Sequence, residues 1–216
     1  MTIHYPNGNP YKDGTQFSSQ AISRPTIYGG RGMTLEEELN ISNQYYRSID
    51  KAVVYKKPTP VQIVKVDYPK RSQAVIREAY FKTPSTTDYN GVYRGFYLDF
   101  EAKETKNKAS FPLKNFHQHQ IEHFRRCLKQ SGICFVVIRF ATLKRLFVFP
   151  AGRLIDCWDR QPDGGRKSIP LKDIVTNGFE LHPQLQPVIP FLDGVDWLIE
   201  TKVGLSLIHI SEPTRR

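Results

Sequence analysis

Three residues have side chains suited to hydrolysing a phosphodiester: Asp88, Glu101 and Lys103. Such a reaction needs an activated water, a counter-charge for the phosphorane that forms, and relief for the departing oxyanion. Mg²⁺ prefers hard oxygen ligands and keeps several waters, so two carboxylates fill enough of its coordination shell. The lysine adds a positive charge beside them. These residue types predict metal-assisted phosphodiester hydrolysis, with Mg²⁺ as the cofactor and Mn²⁺ as a substitute.

The spacing of these residues matches a nuclease signature. Asp88 followed by Glu101-x-Lys103 has the form of the PD-(D/E)xK motif, although Thr87 stands where the motif has proline. The short Glu-x-Lys part occurs by chance in many proteins, so a structural alternative is open, in which an exposed charge pair lies near a turn-forming aspartate. Asp99 shares the face of Glu101, but its offset from Lys103 breaks the motif and leaves it outside the catalytic set.

The segment from 96 to 103, FYLDFEAK, alternates in character as a β-strand does. Its apolar residues at even positions are expected to face the core, and the odd positions, which include Glu101, to form the opposite, chemical face. Upstream, Asn90-Gly91 is the strongest two-residue hairpin signal in the chain. We therefore expect residues 86–89 to pair back against this strand, which brings Asp88 beside Glu101.

Two helices are expected to flank this strand in the sequence. A Thr34-x-x-Glu37 capping box begins the first. Leu35, Leu39 and Tyr46 are predicted to lie along one side of this helix. The second runs from about residue 115 to 130 and carries Gln120. His119 and His123 lie one turn apart on it, but no third ligand is evident, so we expect solvated or packed histidines and not a metal site.

The remaining segments complete a mixed sheet flanked by helices, an α/β fold of one domain. Residues 133–140 and 146–149 are predicted strands, whereas residues 183–202 show no clear pattern. Residues 1–30 are predicted to be a flexible arm, because they offer little apolar surface to bury. The nuclease domain is then expected to span residues 31–202. Residues 203–216 break from the preceding composition; we leave open whether this tail is native and exclude it from functional reasoning.

The chain is strongly basic, with a formal net charge of +10. Such an excess attracts polyanions, so nucleic acid is the leading partner. With no apolar run long enough to span a bilayer, no basic amphipathic helix and no signal peptide, we expect a cytoplasmic protein without membrane association. The cysteines Cys127, Cys134 and Cys157 are odd in number and widely spaced, and are expected to be core thiols.

Residues 57–82 are predicted to leave the core as a basic projecting hairpin. Pro58 and Pro60 cannot sit in a central strand, and the residues after them alternate between apolar and polar types. The residues expected to contact phosphate are Arg31, Lys56, Lys57, Lys70, Arg71 and Arg77. Aromatic residues that could stack on unstacked bases are Tyr68, Tyr80 and Phe81. The structural alternative is a solvated charged face.

Beyond these separate signals, the chain resembles the RecU family of Holliday junction resolvases over about residues 28–160. The resemblance rests on the segments RGMTLEEELN, KKPTPVQIV, YPKRSQAVIREAYFK, STTDYNGVY, YLDFEAKETKNK and SFPLKNFHQHQIEHF. So long a series is far more specific than the nuclease motif. It implies a restriction-endonuclease-like core, a protruding stalk at about residues 57–82, and resolution of Holliday junctions by paired symmetric nicks during homologous recombination and DNA repair.

The resemblance also implies residue roles. The residues to which it assigns metal binding are Thr86, Asp88, Glu101 and Gln120, and Lys103 receives the transition-state role. Glu36 is a further acidic candidate, although a glutamate in a first helical turn also interacts favourably with the helix dipole. The implied partners are four-way junction DNA and a second copy of the chain, because a homodimer presents two sites in matching symmetry. A recombinase and branch-migration proteins are further candidate partners. The expected location of the chain is the bacterial cytoplasm, in association with the nucleoid.

Two other functions stay open at this point. A sequence-specific endonuclease on the same core would read base edges instead of junction shape. A non-catalytic recombination accessory would bind junctions and keep the acidic site as a vestige. The intact set of Asp88, Glu101 and Lys103 argues against the accessory.

Overall fold

A computed structural model describes residues 33–67, 75–81 and 86–210, with the backbone alone for residues 202–210. The predicted flexible arm at residues 1–30 lies outside these ranges, and so does the end of the predicted tail, residues 211–216. Within the described ranges the chain forms a six-stranded mixed sheet with helices on both faces and two smaller two-stranded sheets. The predicted class, a mixed α/β sheet flanked by helices, is confirmed.

The helices are α1 (Leu35–Ser48), α2 (Gln118–Lys129), α3 (Ala151–Asp159), α4 (Leu171–Asn177) and α5 (Phe191–Ile210). The strands are β1 (Val53–Lys56), β2 (Val61–Asp67), β3 (Val75–Phe81), β4 (Tyr89–Tyr93), β5 (Phe96–Thr105), β6 (Ser110–Pro112), β7 (Ile133–Phe140), β8 (Arg145–Pro150), β9 (Ser168–Pro170) and β10 (Phe179–Leu181). The large sheet has the order β1-β4-β5-β7-β8-β10. None of the helices in the described ranges has both the length and the apolar character needed to cross a membrane.

The central pair of the large sheet is β5 and β7, which run parallel, whereas all other neighbours in this sheet are antiparallel. Parallel neighbours need a crossover connection, and here α2 supplies it. The crossover returns the chain across the face of β5 before β7 begins. Residues of α2 are thereby brought against the middle of β5.

Both faces of the sheet are buried, each in its own apolar core. One face packs against α1 and α5, where Tyr46, Phe100 and Phe191 are buried. The other packs against α2, α3 and α4, where Phe124 is buried. The predicted chemical face of β5 is covered by α2, which leaves Glu101 with no exposed surface, so the alternative of an exposed charge pair is wrong for Glu101.

The start of α1 confirms the predicted capping box. The Thr34 hydroxyl accepts from the Glu37 amide at 3.2 Å, and the Glu37 carboxylate accepts from the Thr34 amide at 2.7 Å. These two bonds satisfy amide groups that the first turn of a helix leaves without partners. The predicted apolar stripe, Leu35, Leu39 and Tyr46, is buried against the sheet.

The predicted turn at Asn90-Gly91 is wrong, because both residues lie within β4. The hairpin between β4 and β5 turns instead at Arg94-Gly95, whose φ angles are 50° and 80°, as tight two-residue hairpins require. Gly91 has a packing role: a Cβ there would lie 2.2 Å from the Val53 carbonyl oxygen. Residues 86–88 precede β4 and do not pair as a strand.

The long helix α5 was not predicted. Residues 183–202 look irregular because prolines and turn residues precede Phe191, but a helical stripe follows. Its buried residues are Phe191, Leu192, Val195 and Ile199. The backbone of α5 continues through residue 203, where the composition changes, to Ile210. The second helix is shorter than the predicted 115–130, because residues 113–115 form a 3₁₀ turn ahead of α2.

Strands β2 and β3 pair only with each other, as a two-stranded antiparallel sheet separate from the large one. We call this pair the ribbon. Every residue of β3 and five of the seven residues of β2 are exposed. Apolar side chains such as Ile63, Ile76 and Phe81 therefore lie in solvent. The connection between the strands, which contains Tyr68, lies outside the described residues.

Candidate active site

Glu101 is the centre of the candidate site. Its carboxyl group is buried in the middle of β5 and receives three contacts. The Asp88 backbone amide donates to Oε2 at 3.0 Å, the Lys103 ammonium lies 2.7 Å from Oε1, and the Gln120 side-chain amide donates to Oε1. The structure thus brings together four of the predicted residues, from β5, from the segment before β4 and from α2.

The electrostatics of Glu101 are those of a carboxyl group without enough counter-charge. Burial raises its pKa to about 8. The Lys103 ammonium opposes that rise, whereas Asp88 adds to it through its charge and through a side-chain hydrogen bond to Glu101. A second negative charge beside a buried carboxyl group is unfavourable, so Asp88 favours the protonated form of Glu101. A divalent cation would remove this conflict.

The donor set fits a hard divalent cation better than a soft one. Asp88 and Glu101 offer carboxylate oxygens, which are the ligands that Mg²⁺ prefers. Thr86 is half-buried, and its hydroxyl donates to the Thr87 carbonyl at 3.3 Å. The Gln120 oxygen accepts from the His117 amide at 3.0 Å, so metal binding through it would require the side-chain amide to rotate. Metal binding by Thr86 and Gln120 stays a prediction.

A second buried carboxylate, Asp99, lies two residues before Glu101 on the same strand face. It accepts from the Lys57 ammonium at 2.9 Å, from the Tyr97 hydroxyl at 2.8 Å, from the His123 ring at 3.0 Å and from the Thr87 hydroxyl. Burial alone raises the pKa of Asp99, but the hydrogen bonds from His123, Thr87 and Lys57 outweigh burial and hold the pKa below its usual range. Asp99 is therefore ionised near neutral pH.

Asp99, His123 and Cys127 offer ligand atoms that all lie within 4.8 Å of one another. His123 therefore has potential co-ligands that the sequence did not reveal. The Lys57 ammonium already neutralises Asp99 at 2.9 Å, however, and a cation there would have to displace it. None of the three cysteines forms a disulfide; Cys134 is buried as predicted, whereas Cys127 and Cys157 are half-buried.

Glu36 lies at the edge of this region. Its carboxylate forms an ion pair with Lys56, and its backbone carbonyl accepts from the Tyr89 hydroxyl at 3.4 Å. Burial raises the pKa of Tyr89, and the charges of Glu36, Asp88 and Glu101 raise it further. Glu36 is thus electrostatically close to the acidic pair, and its functional role stays a prediction.

The residues predicted to contact phosphate are differently placed. Lys56 is exposed and pairs with Glu36, and Arg77 on the ribbon pairs with Asp67 at 2.6 Å. The Lys57 side chain is turned inward to Asp99. Contact with phosphate stays a prediction for all of them. Three further candidates lie outside the described residues: Arg31, Lys70 and Arg71.

The residues that donate to Asp99 were not predicted as a set from the sequence; they are Lys57, Thr87, Tyr97 and His123. Two signals were available: Thr87 is the neighbour of Asp88, and Asp99 shares the strand face of Glu101. Neither signal reveals that α2 covers this face of β5. A buried carboxylate needs hydrogen-bond donors, so the donors to Asp99 could be predicted only once its burial was known.

Comparison with known proteins bears on these residues directly. The family described as "RecU: Recombination protein U" matches residues 30–197. The chain belongs to the RecU family. The RecU match contains α1, the ribbon, the residues around Glu101 and Asp99, and all six strands of the large sheet, and it stops within α5.

Three RecU relatives show how far the similarity extends. Each is named "Holliday junction resolvase RecU". The protein from Latilactobacillus sakei is 64% identical over 203 residues, covering 92% of this chain and 97% of the relative. The Lactiplantibacillus plantarum protein is 63% identical over 93% of this chain and 97% of the relative. The Limosilactobacillus reuteri protein is 57% identical over 94% of this chain and all of the relative.

Proposed function

We propose that this chain is a structure-selective DNA endonuclease that resolves Holliday junctions during homologous recombination and DNA repair; its relatives are named Holliday junction resolvases. The observation that carries the proposal is the buried Glu101 carboxyl group, which contacts Asp88 and Lys103 at the same time. Two acidic oxygen donors and a lysine at one point are what hydrolysis of a phosphodiester needs. A binding protein without catalysis has no use for this arrangement.

The cofactor in this proposal is Mg²⁺, with Mn²⁺ as a substitute, held by Asp88 and Glu101. When bound, Mg²⁺ acts as a Lewis acid on the scissile phosphate and lowers the pKa of water. Asp88 and Glu101 must both be ionised to hold it, so binding releases the proton that Glu101 keeps in the metal-free protein. The Asp88 amide and the Gln120 side chain keep the Glu101 carboxylate oriented.

Lys103 supplies the remaining charge. Its ammonium is 2.7 Å from Glu101 Oε1, and the Lys103 side chain is about one-fifth exposed, so it lies between the buried Glu101 carboxyl group and solvent. A cation at that place stabilises negative charge that develops on the phosphorane. The strand positions of Glu101 and Lys103, two residues apart on one face, fix this distance through the backbone.

DNA binding in this proposal uses the basic charge of the chain and the ribbon as a protruding stalk. The ribbon stands apart from the large sheet's ladder and exposes Tyr80 and Phe81, which are suited to stacking on bases. The large sheet is proposed to be a restriction-endonuclease-like core. A homodimer with two sites would cut two opposed strands in matching symmetry. We place this activity in the bacterial cytoplasm, on nucleoid DNA.

The test compares the wild-type chain with Asp88→Asn on a mobile four-way junction and on linear duplex of the same sequence, in Mg²⁺. We expect nicking of the junction by the wild type, loss of nicking by at least about 100-fold in the variant because a ligand carboxylate is removed, and nearly unchanged junction affinity.

Asp196→Asn is the matched control, because Asp196 accepts hydrogen bonds from Tyr93 and Arg94, outside the candidate site. A strong preference for linear duplex would point to a sequence-specific endonuclease. Junction binding without nicking by the wild type would point to an accessory protein.

A further inference from the structure

Asp99 is a fully buried carboxylate beside the candidate active site. The proposed reaction gives Asp99 no role. Its donors are the Lys57 ammonium, the Tyr97 and Thr87 hydroxyls and the His123 ring. Four donors come close to filling the hydrogen-bond capacity of a carboxylate. Asp99 is therefore held by protein groups on both oxygens, and it affects a reaction through those groups and not by touching substrate.

Two of the four donors lead from Asp99 to Asp88. Thr87 is the residue immediately before Asp88, and its hydroxyl both donates to Asp99 and accepts from the Lys57 ammonium at 3.0 Å. The backbone amide of Lys57 donates to the Asp88 carbonyl at 2.7 Å. Lys57 therefore holds the segment at two points, once through its side chain and once through its backbone.

The segment that carries Asp88 needs such support. Residues 86–88 lie before β4 and outside any strand ladder, so no sheet hydrogen bonds fix them. On the Glu101 side, the hydrogen bond described for Asp88 runs from its backbone amide to Oε2 at 3.0 Å, and the charge of Asp88 raises the pKa of Glu101. Two negative charges close together repel each other once both groups are ionised. Something else must hold Asp88 in place.

We propose that Asp99, Lys57 and Thr87 form a positioning unit. This unit holds Asp88 against Glu101, so that the two carboxylates are placed to bind one divalent cation together. Groups of this kind orient metal ligands without touching the metal, and their removal commonly costs about 10- to 100-fold in metal affinity or activity. The inference rests on the proposed function for its link to DNA cleavage. It gives Lys57 an internal role in place of the phosphate contact predicted from sequence.

The first test substitutes Thr87, which is buried and donates a hydrogen bond to Asp99 from its hydroxyl. Thr87→Val keeps the shape and removes the hydroxyl, whereas Thr87→Ser keeps the hydroxyl. Binding of Mn²⁺ to the full chain without DNA is measured by titration calorimetry, and nicking of a four-way junction is measured against Mg²⁺ concentration. We expect Thr87→Val to bind Mn²⁺ about 10- to 100-fold more weakly, to need correspondingly more Mg²⁺ for half-maximal nicking, and to recover its rate at high Mg²⁺.

Thr87→Ser is expected to stay close to the wild type in both measurements. Wild-type Mn²⁺ affinity and Mg²⁺ requirement in Thr87→Val would overturn the proposal. Equal losses in Thr87→Val and Thr87→Ser would overturn it as well, since they would trace the effect to packing and not to the hydroxyl. If the wild-type chain fails to nick junctions, the proposed function fails, but the Mn²⁺ affinities still decide the positioning role.

The second test separates positioning from DNA contact at Lys57. Lys57→Met keeps the length of the side chain and removes the ammonium. We expect weaker Mn²⁺ binding of the same order as for Thr87→Val, with unchanged junction affinity and an unchanged dependence of that affinity on salt. A lysine that contacts phosphate would instead lower the salt slope by about one. A lowered slope with wild-type Mn²⁺ affinity would return Lys57 to the DNA interface and contradict the proposal.

Discussion

At the scale of single residues, two neighbouring carboxyl groups have pKa values shifted in opposite directions. Glu101 and Asp99 lie two positions apart on one face of β5, and both are fully buried. Asp99 has four donors and keeps a pKa below its usual range, whereas Glu101 faces another acid and has a pKa raised to about 8. Environment and not residue type sets these states, as is common where two acids in one site have different tasks.

The raised pKa of Glu101 has a direct consequence for stability. In metal-free protein, the folded state keeps a proton that an unfolded glutamate loses above its ordinary pKa of 4.5. The stabilisation linked to this proton is complete below that value and is lost as the pH rises through about 8. The wild type should therefore lose stability between about pH 5 and pH 8 more steeply than Glu101→Gln, by up to about 1.4 kcal/mol per pH unit.

Urea unfolding followed by circular dichroism in EDTA measures this difference, and the other titrating groups cancel between the two proteins. Added Mg²⁺ is expected to reduce the slope in the wild type, because a bound cation favours the ionised carboxylate. Parallel pH profiles for the two proteins would show that Glu101 ionises normally in the folded state.

At the scale of elements, the strands that carry continuous or alternating apolar patterns could be predicted. The predicted limits of 133–140 agree with β7, because a strand buried on both faces is apolar throughout. The turn into β5 was assigned wrongly, because Asn90-Gly91 has a strong local signal while its glycine serves packing against β1. The cover that α2 places over Glu101 could not be predicted, since it depends on a crossover between distant parts of the chain.

The packing role of Gly91 predicts an asymmetry between two glycine substitutions. A Cβ at Gly91 would meet the Val53 carbonyl oxygen at 2.2 Å and the Val54 Cα at 2.7 Å, which are backbone atoms that cannot move aside cheaply. Gly91→Ala should therefore destabilise the protein by about 1–3 kcal/mol. Gly152→Ala is the control, because a Cβ there meets nothing within 4 Å.

Gly152 lies in α3, where alanine is the better helix former, so its substitution should be neutral or stabilising by up to about 1 kcal/mol. Thermal melts of both variants beside the wild type measure the effect. Equal melting temperatures for Gly91→Ala and Gly152→Ala would contradict the close approach of β1 and β4.

At the scale of the whole molecule, the proposed function asks for two active sites. In that proposal the Asp88, Glu101 and Lys103 set of one chain cuts one strand, whereas ligatable products need two opposed cuts. The expectation of a homodimer comes from the sequence resemblance. Within one chain, Glu101 contacts Asp88, Lys103 and Gln120.

Mixed dimers test the two-site requirement. Wild-type and Asp88→Asn chains are co-expressed at varying ratios and given a supercoiled plasmid that extrudes a cruciform. Chains that act in pairs should produce linear plasmid roughly as the square of the wild-type fraction, with nicked circles from mixed pairs. Linear product in direct proportion to the wild-type fraction would show that one chain completes both cuts. Mixtures with Asp196→Asn serve as the control for dilution.

The central position of β5 affects the order in which the elements of the molecule unfold. β5 is hydrogen-bonded to β4 on one side and β7 on the other and is buried on both faces, whereas the ribbon is bonded only within itself and stands in solvent. Backbone amides in such a central strand exchange with deuterium only when most of the domain opens, and those in an exposed pair exchange by local fraying. The strand that carries Glu101 and Lys103 should be among the last elements to exchange and the ribbon among the first. Gentle denaturation would then remove the proposed DNA-binding ribbon before it disturbs the strand of the candidate site.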